Sequence, residues 1–121
     1  MAEKMPIRIR KSAVAPGTTD VTVKTDIVPP GEIWCLQGQA YENEGVGTGR
    51  FRRYIEGHGY NHYLGEQTTV AAKAIYSTAD IIYLIPGERL VLICTAPTTA
   101  DVIAYYAHGY KVHSAFIPDK E

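Results

Sequence analysis

The stretch Ile27-Val28-Pro29-Pro30-Gly31-Glu32-Ile33-Trp34 has an echo further along the chain, Leu84-Ile85-Pro86-Gly87-Glu88-Arg89-Leu90-Val91. In both, an apolar run meets Pro-Gly-Glu and a second apolar run begins at once. Proline presets φ for the first central turn position and removes a backbone donor. Glycine supplies the positive φ that a type II turn needs at the next position. The two segments therefore predict matched, sharp corners between strands.

Working outward from the corners, the residue choice favours strands, with Val, Ile, Thr and Tyr frequent and Gly or Pro punctuation recurring. Ile7-Arg8-Ile9-Arg10 and Val21-Thr22-Val23-Lys24 alternate, which gives each one core face and one outer face. Further strands are expected over Glu32–Tyr41, Arg50–Glu56, Ile81–Ile85, Arg89–Cys94 and Val102–Val112. Val70–Tyr76 has helix-favouring alanines but is assigned to the fifth strand from its β surroundings, whereas Gly57–Glu66 reads as an irregular loop. The count is eight.

Eight strands with matched corners point to an all-β, single-domain antiparallel β-sandwich of the jelly-roll type. In that fold the first strand pairs with the last, the second with the seventh, the third with the sixth and the fourth with the fifth. The second-to-third and sixth-to-seventh connections then emerge at one end, which is where the two corners fall. An immunoglobulin-like sandwich is disfavoured, because Trp34 immediately precedes Cys35 and the Cys…Trp…Cys spacing is missing. The expected organisation is an extended N-terminal arm and first strand over 1–12, the sandwich over 13–113 and a polar tail over 114–121.

With 121 residues, 45% hydrophobic and 21% charged, the chain suits one self-sufficient core. A formal net charge of −1 argues against a nucleic-acid partner. No apolar run approaches the roughly 20 residues of a membrane span and the N-terminus has no signal-peptide apolar region, so synthesis in a reducing cytosol is expected. Cys35 and Cys94 lie inside apolar runs and are expected as free, buried thiols.

Catalytic patterns are sparse, and no enzyme activity or cofactor is expected. His58, His62 and Glu66 recur at four-residue intervals, a spacing that even alternation along a strand would place on one face. They are the residues for the alternative of a small cupin-type metal enzyme. That alternative is weakened by the lack of a His-x-His pair and of a histidine soon after Pro86-Gly87-Glu88. Gly45-Val46-Gly47-Thr48-Gly49 resembles a phosphate loop but lacks the Lys-Ser/Thr and the helix that follow one, so it is expected as a hairpin tip. Tyr60, Tyr63, Tyr105, Tyr106 and Tyr110 could form a sugar-stacking platform, which would make the chain a receptor- or glycan-binding module. His108 and His113 are expected on the last strand.

The two Pro-Gly-Glu segments, the N-terminal strand and the final Tyr106-Ala107-His108-Gly109-Tyr110 run together resemble the small jelly-roll decoration, cement or capsid-stabilising proteins of bacteriophages. The resemblance spans about Thr25 to Val112. It implies a non-enzymatic homo-oligomer, dimer or trimer, made in the host cytoplasm and bound to the virion exterior. There it would bridge major capsid protein subunits without chemistry. The contact residues expected for such docking are Ile7, Arg8, Ile9, Arg10 and Lys11 of the arm, Arg50, Arg52 and Arg53 of the fourth strand, and His58, Tyr60 and Tyr63 of the following loop.

Overall fold

The computed structural model describes residues 4–113, and the tail expected over 114–121 lies outside them. The elements are β1 (Lys4–Val14), β2 (Val21–Lys24), β3 (Glu32–Asn43), β4 (Phe51–Gly57), β5 (Tyr60–Gln67), β6 (Ile75–Thr78), β7 (Ile82–Leu84), β8 (Arg89–Cys94) and β9 (Val102–His113). One sheet runs β1-β9-β3, with β6 and β7 end to end along the free side of β3, and the other runs β2-β8-β4-β5. All pairings are antiparallel. First pairs with last, second with penultimate, and β4 with β5. This is the jelly-roll pairing, with its sixth strand interrupted between β6 and β7.

Two segments differ from the sequence expectation. The stretch read as an irregular loop is the β4–β5 hairpin, with Gly57 opposite Tyr60 and both turn residues in the left-handed region, His58 at φ 52° and Gly59 at φ 80°. That is a two-residue type I′ connection, whose twist matches the flanking strands. Histidine tolerates positive φ better than most residues. Its ring is also anchored, with Nε2 2.9 Å from the carbonyl oxygen of Pro86. Conversely, Val70–Tyr76 is a strand only from Ile75 onward, so the partner of β4 is 60–67 and not 70–76.

Both corners are type II turns. Glu32 N–H donates to Pro29 O (3.3 Å) and Glu88 N–H to Ile85 O (3.1 Å), while Gly31 and Gly87 sit at φ 87° and 92°. They lie at one end of the sandwich and are tied together there. Val28 N–H donates to Glu88 O and Gly87 N–H donates to Val28 O, each at 2.9 Å. Alanine at either glycine incurs the cost of positive φ, about 1 kcal/mol. Only at Gly87 does the added Cβ also press on a neighbour, the His58 ring at 3.0 Å, whereas Gly31 faces open space. Thermal unfolding is therefore expected to rank Gly87→Ala as more destabilising than Gly31→Ala. Equal losses would show that His58 yields freely.

The core fills the space between the sheets. Alternation delivers Val21 and Val23 from β2, Leu36 and Tyr41 from β3, Phe51 from β4, Leu90, Leu92 and Cys94 from β8, and Ile103 and Tyr105 from β9. Full burial of such a side chain contributes about 1.5–3 kcal/mol. Tyr41 packs on Phe51 with centroids 5.1 Å apart and on Tyr76 at 6.0 Å. Cys35 and Cys94 are both buried and free. Burial, with Asp101 and Asp20 nearby, pushes the Cys94 thiol up to about 11, so it behaves as a small apolar side chain and not as a nucleophile.

Candidate functional site

The expected arm is an edge strand. Every residue from Lys4 to Val14 pairs with one from Val112 to Val102. Ile7 and Ile9 turn toward the core, where they pack partly buried against it, so they support the sheet more than any outside partner. Arg8 and Arg10 face outward, opposite His108 and Tyr106. Lys4 lies 4.7 Å over the Tyr110 ring and the Arg10 guanidinium 5.5 Å over Tyr106, whose hydroxyl donates to Glu42 at 2.6 Å. Arg10 also reaches Glu44 at 3.7 Å, and Lys11, on the other side of the strand, pairs with Asp26 at 3.1 Å. The result is a basic and aromatic outer face on one sheet. A shallow trough of about 1040 Å³ crosses it, lined by Arg8, Tyr106 and His108 and by the small residues Gly38, Ala40 and Ser77.

The fourth strand divides its arginines between two faces. Arg50 and Arg52 flank Glu66 at 3.1 and 3.8 Å, and Tyr63 donates to the same carboxylate at 2.9 Å. Arg53 shares the parity of Phe51 and points between the sheets, 6% exposed. Its Nη1 donates to Gln39 Oε1 at 3.0 Å, and the guanidinium sits 5.7 Å over the Tyr41 ring. Tyr105 donates to the same Gln39 oxygen at 2.5 Å, and burial raises the affinity of that phenol for its proton. Arg53 is thus withdrawn from the docking surface expected of it, because neighbouring residues on a strand face opposite ways.

The His58, His62 and Glu66 spacing does not converge. A bulge between Arg53 and Tyr54 shifts the register, so that His62 stands opposite Ile55 and Glu66 opposite Arg52. Those two β4 residues are three apart and face opposite sides, and their partners do too. His58 is held in the turn by Pro86. Among the described residues no three His, Cys, Asp or Glu side chains are placed to hold a metal ion. The five tyrosines are equally dispersed. Tyr60 and Tyr63, 76% and 57% exposed, stand opposite Gly57 and Tyr54 on opposite faces of their sheet. Tyr105 is in the core, and Tyr106 and Tyr110 belong to the other sheet.

The glycine-rich loop does bind an anion, and the anion is the chain's own Asp101. Its carboxylate accepts hydrogen bonds from the backbone N–H groups of Val46 (3.1 Å), Gly47 (3.2 Å) and Thr98 (2.8 Å), and from Asn43 Nδ2 (2.8 Å). A side chain at Gly45 or Gly47 would occupy the position of that carboxylate, which explains both glycines. Its sequence neighbourhood does not single out Asp101, since three of its four partners, Asn43, Val46 and Gly47, lie more than 50 residues away.

A second surface also escapes sequence reading. Ile81, Tyr83 and Ile85, at and beside β7, are 63%, 63% and 47% exposed, and Ile75 on β6 is 62% exposed. All lie on a sheet edge.

No protein-family model matches the chain, and no curated protein matches its sequence. Among solved structures it is similar to one of Bacillus endospore appendages, described as a family of disulfide-linked pili, at 12% identity and TM-score 0.55, covering 95% of this chain and 92% of that one. It is also similar to part of the structure of infectious bursal disease virus, Gx strain, at 12% identity and TM-score 0.50, covering 98% of this chain and 33% of that one. At this identity the likeness is one of fold.

Proposed function

We propose that this domain is a non-enzymatic virion protein that decorates the exterior of a bacteriophage capsid, bridging major capsid protein subunits and cementing the head. The observation that carries the reading is the outer face of the β1-β9-β3 sheet. Lys4, Arg8 and Arg10 lie there on a rigid eleven-residue strand beside Tyr106, His108 and Tyr110. Tyrosine and arginine on a firm scaffold suit a wet, polar protein contact, and a basic face suits an acidic shell. Many modest contacts on a repeating lattice add through avidity. The fold is compatible with such use, since the two solved structures compared above, of pili and of a virus, are of assemblies. Less supports the metal and sugar-platform alternatives, because His62 and Glu66, and likewise Tyr60 and Tyr63, stand on opposite faces of their sheet.

The test is binding to assembled phage heads. The native chain is expected to co-sediment with them in a salt-sensitive manner and to give density outside the shell by electron cryomicroscopy. The double variant Arg8→Glu, Arg10→Glu should bind on the order of tenfold more weakly. Density at a tail tip, or binding indifferent to the double variant, would refute this docking face.

A further inference from the structure

We infer that the β6–β7 edge is a self-association seam, in which β7 pairs antiparallel with β7 of a second copy of this chain about a two-fold axis through Tyr83. Exposed sheet edges invite pairing, and proteins that stay apart guard them with charges, proline, bulges or brevity. Three of the four edges here are guarded by charge, proline or a bulge. The β1 edge carries Lys4, Pro6, Arg8, Arg10 and Lys11, β2 ends in Lys24, and β5 carries Glu66 and a bulge, whereas β6 and β7 have brevity alone, at four and three residues. From Ile75 to Ile85 the only charge is Asp80, and four large apolar side chains stand exposed on the outer face.

The occupant follows from the sequence of the edge itself. Ile81-Ile82-Tyr83-Leu84-Ile85 reads almost the same in both directions about Tyr83. An antiparallel pair centred there sets Ile81 against Ile85 of the second copy twice over and Tyr83 against Tyr83, all on the outer face. Ile82 meets Leu84 on the core side, where both already pack. Like charges approach only at the two ends, where Asp80 falls opposite Pro86 of the second copy and near its Glu88, and the isologous contact closes by two-fold symmetry without propagating into a filament. The seam is small. Five residues span about 17 Å, and the contact falls short of the roughly 800 Å² per partner of a standard interface. The dimer is therefore weak and concentration-dependent.

This inference stands apart from the capsid reading, because it is tested on the purified chain and holds or fails without phage heads. Sedimentation across a concentration series should show reversible dimerisation, and Tyr83→Lys should raise the dissociation constant at least about tenfold without lowering the melting temperature. In the proposed register position 81 faces position 85 of the other copy and not itself. Mild oxidation of a mixture of Ile81→Cys and Ile85→Cys should therefore give a cross-linked heterodimer, while each variant alone gives none. A monomer at every concentration, a dimer indifferent to Tyr83→Lys, or cross-linking of either variant with itself would overturn the seam.

Discussion

Alanine at Asp101 is expected to cost about 3–5 kcal/mol of folding stability, read by chemical or thermal unfolding. The side chain is 3% exposed and gathers four donors from three parts of the chain, the end of β3, the 43–47 loop and the turn before β9. Its backbone carbonyl also accepts from Ala15 N–H at 2.8 Å, joining the end of β1 to the same knot. Alanine leaves those donors facing an apolar methyl group, and each buried orphan carries its own desolvation cost. Asn is isosteric but turns an NH₂ toward backbone N–H groups, so Asp101→Asn should lose much of the same stability. A loss below about 1 kcal/mol would mean that the loop re-forms its bonds with water.

The same site has a pH signature. Burial works against the ionised carboxylate, but the bonds from Asn43, Thr98, Val46 and Gly47 outweigh it and hold Asp101 below its usual value. A depressed folded-state pKa means that the stabilisation is complete above the unfolded value of about 3.9, and that it disappears as pH falls through the folded one. The native chain should therefore weaken below about pH 4, and Asp101→Asn should show a flatter acid limb. Parallel limbs would assign the acid sensitivity to other carboxylates.

The second large effect is expected at Gly109, where alanine should destabilise by about 3 kcal/mol. Gly109 stands opposite Leu36 in the central β3–β9 pair, next to the bulge that leaves Gln37 unpaired and resumes at Gly38 opposite His108. A Cβ there would overlap the Cys35 carbonyl oxygen and lie 2.9 Å from Leu36 Cα, which are backbone atoms with no rotamer to change. The two longest strands of the sheet would have to separate. Gly17, with nothing within 4 Å of its would-be Cβ, is the control, and alanine there should be close to neutral. Thermal unfolding of the pair decides it, and equal melting temperatures would show that the bulge absorbs a methyl group at no cost.

The glycine in the Tyr106–Tyr110 run thus belongs to the packing of the central strands, a meaning its neighbours in sequence do not reveal. The Pro-Gly-Glu corners are different, because everything they require lies within four residues: a proline φ, a glycine at positive φ and one hydrogen bond closing the turn. Strands β1, β2 and β8 were legible for a related reason, since alternation or a short apolar run is a local record of which side is buried. The parity of Arg53 with Phe51 and Ile55 was also available and indicated its inward direction. The β4–β5 hairpin was not legible, because His58 holds its left-handed turn with help from Pro86, 28 residues away, and the bulge that parts His62 from Glu66 leaves no mark in composition.

By itself, then, the sequence determined the class of fold and the end of the sandwich at which both corners sit, since turn and strand preferences act over a few neighbouring residues. Only the tertiary structure decided which faces and edges are available. It gave the glycine loop to Asp101, parted His62 from Glu66, spread the tyrosines over separate faces, and left Ile81, Tyr83 and Ile85 on an uncovered edge. The physical reason is that exposure and convergence depend on strand order and register, which are set by contacts between residues far apart in the chain.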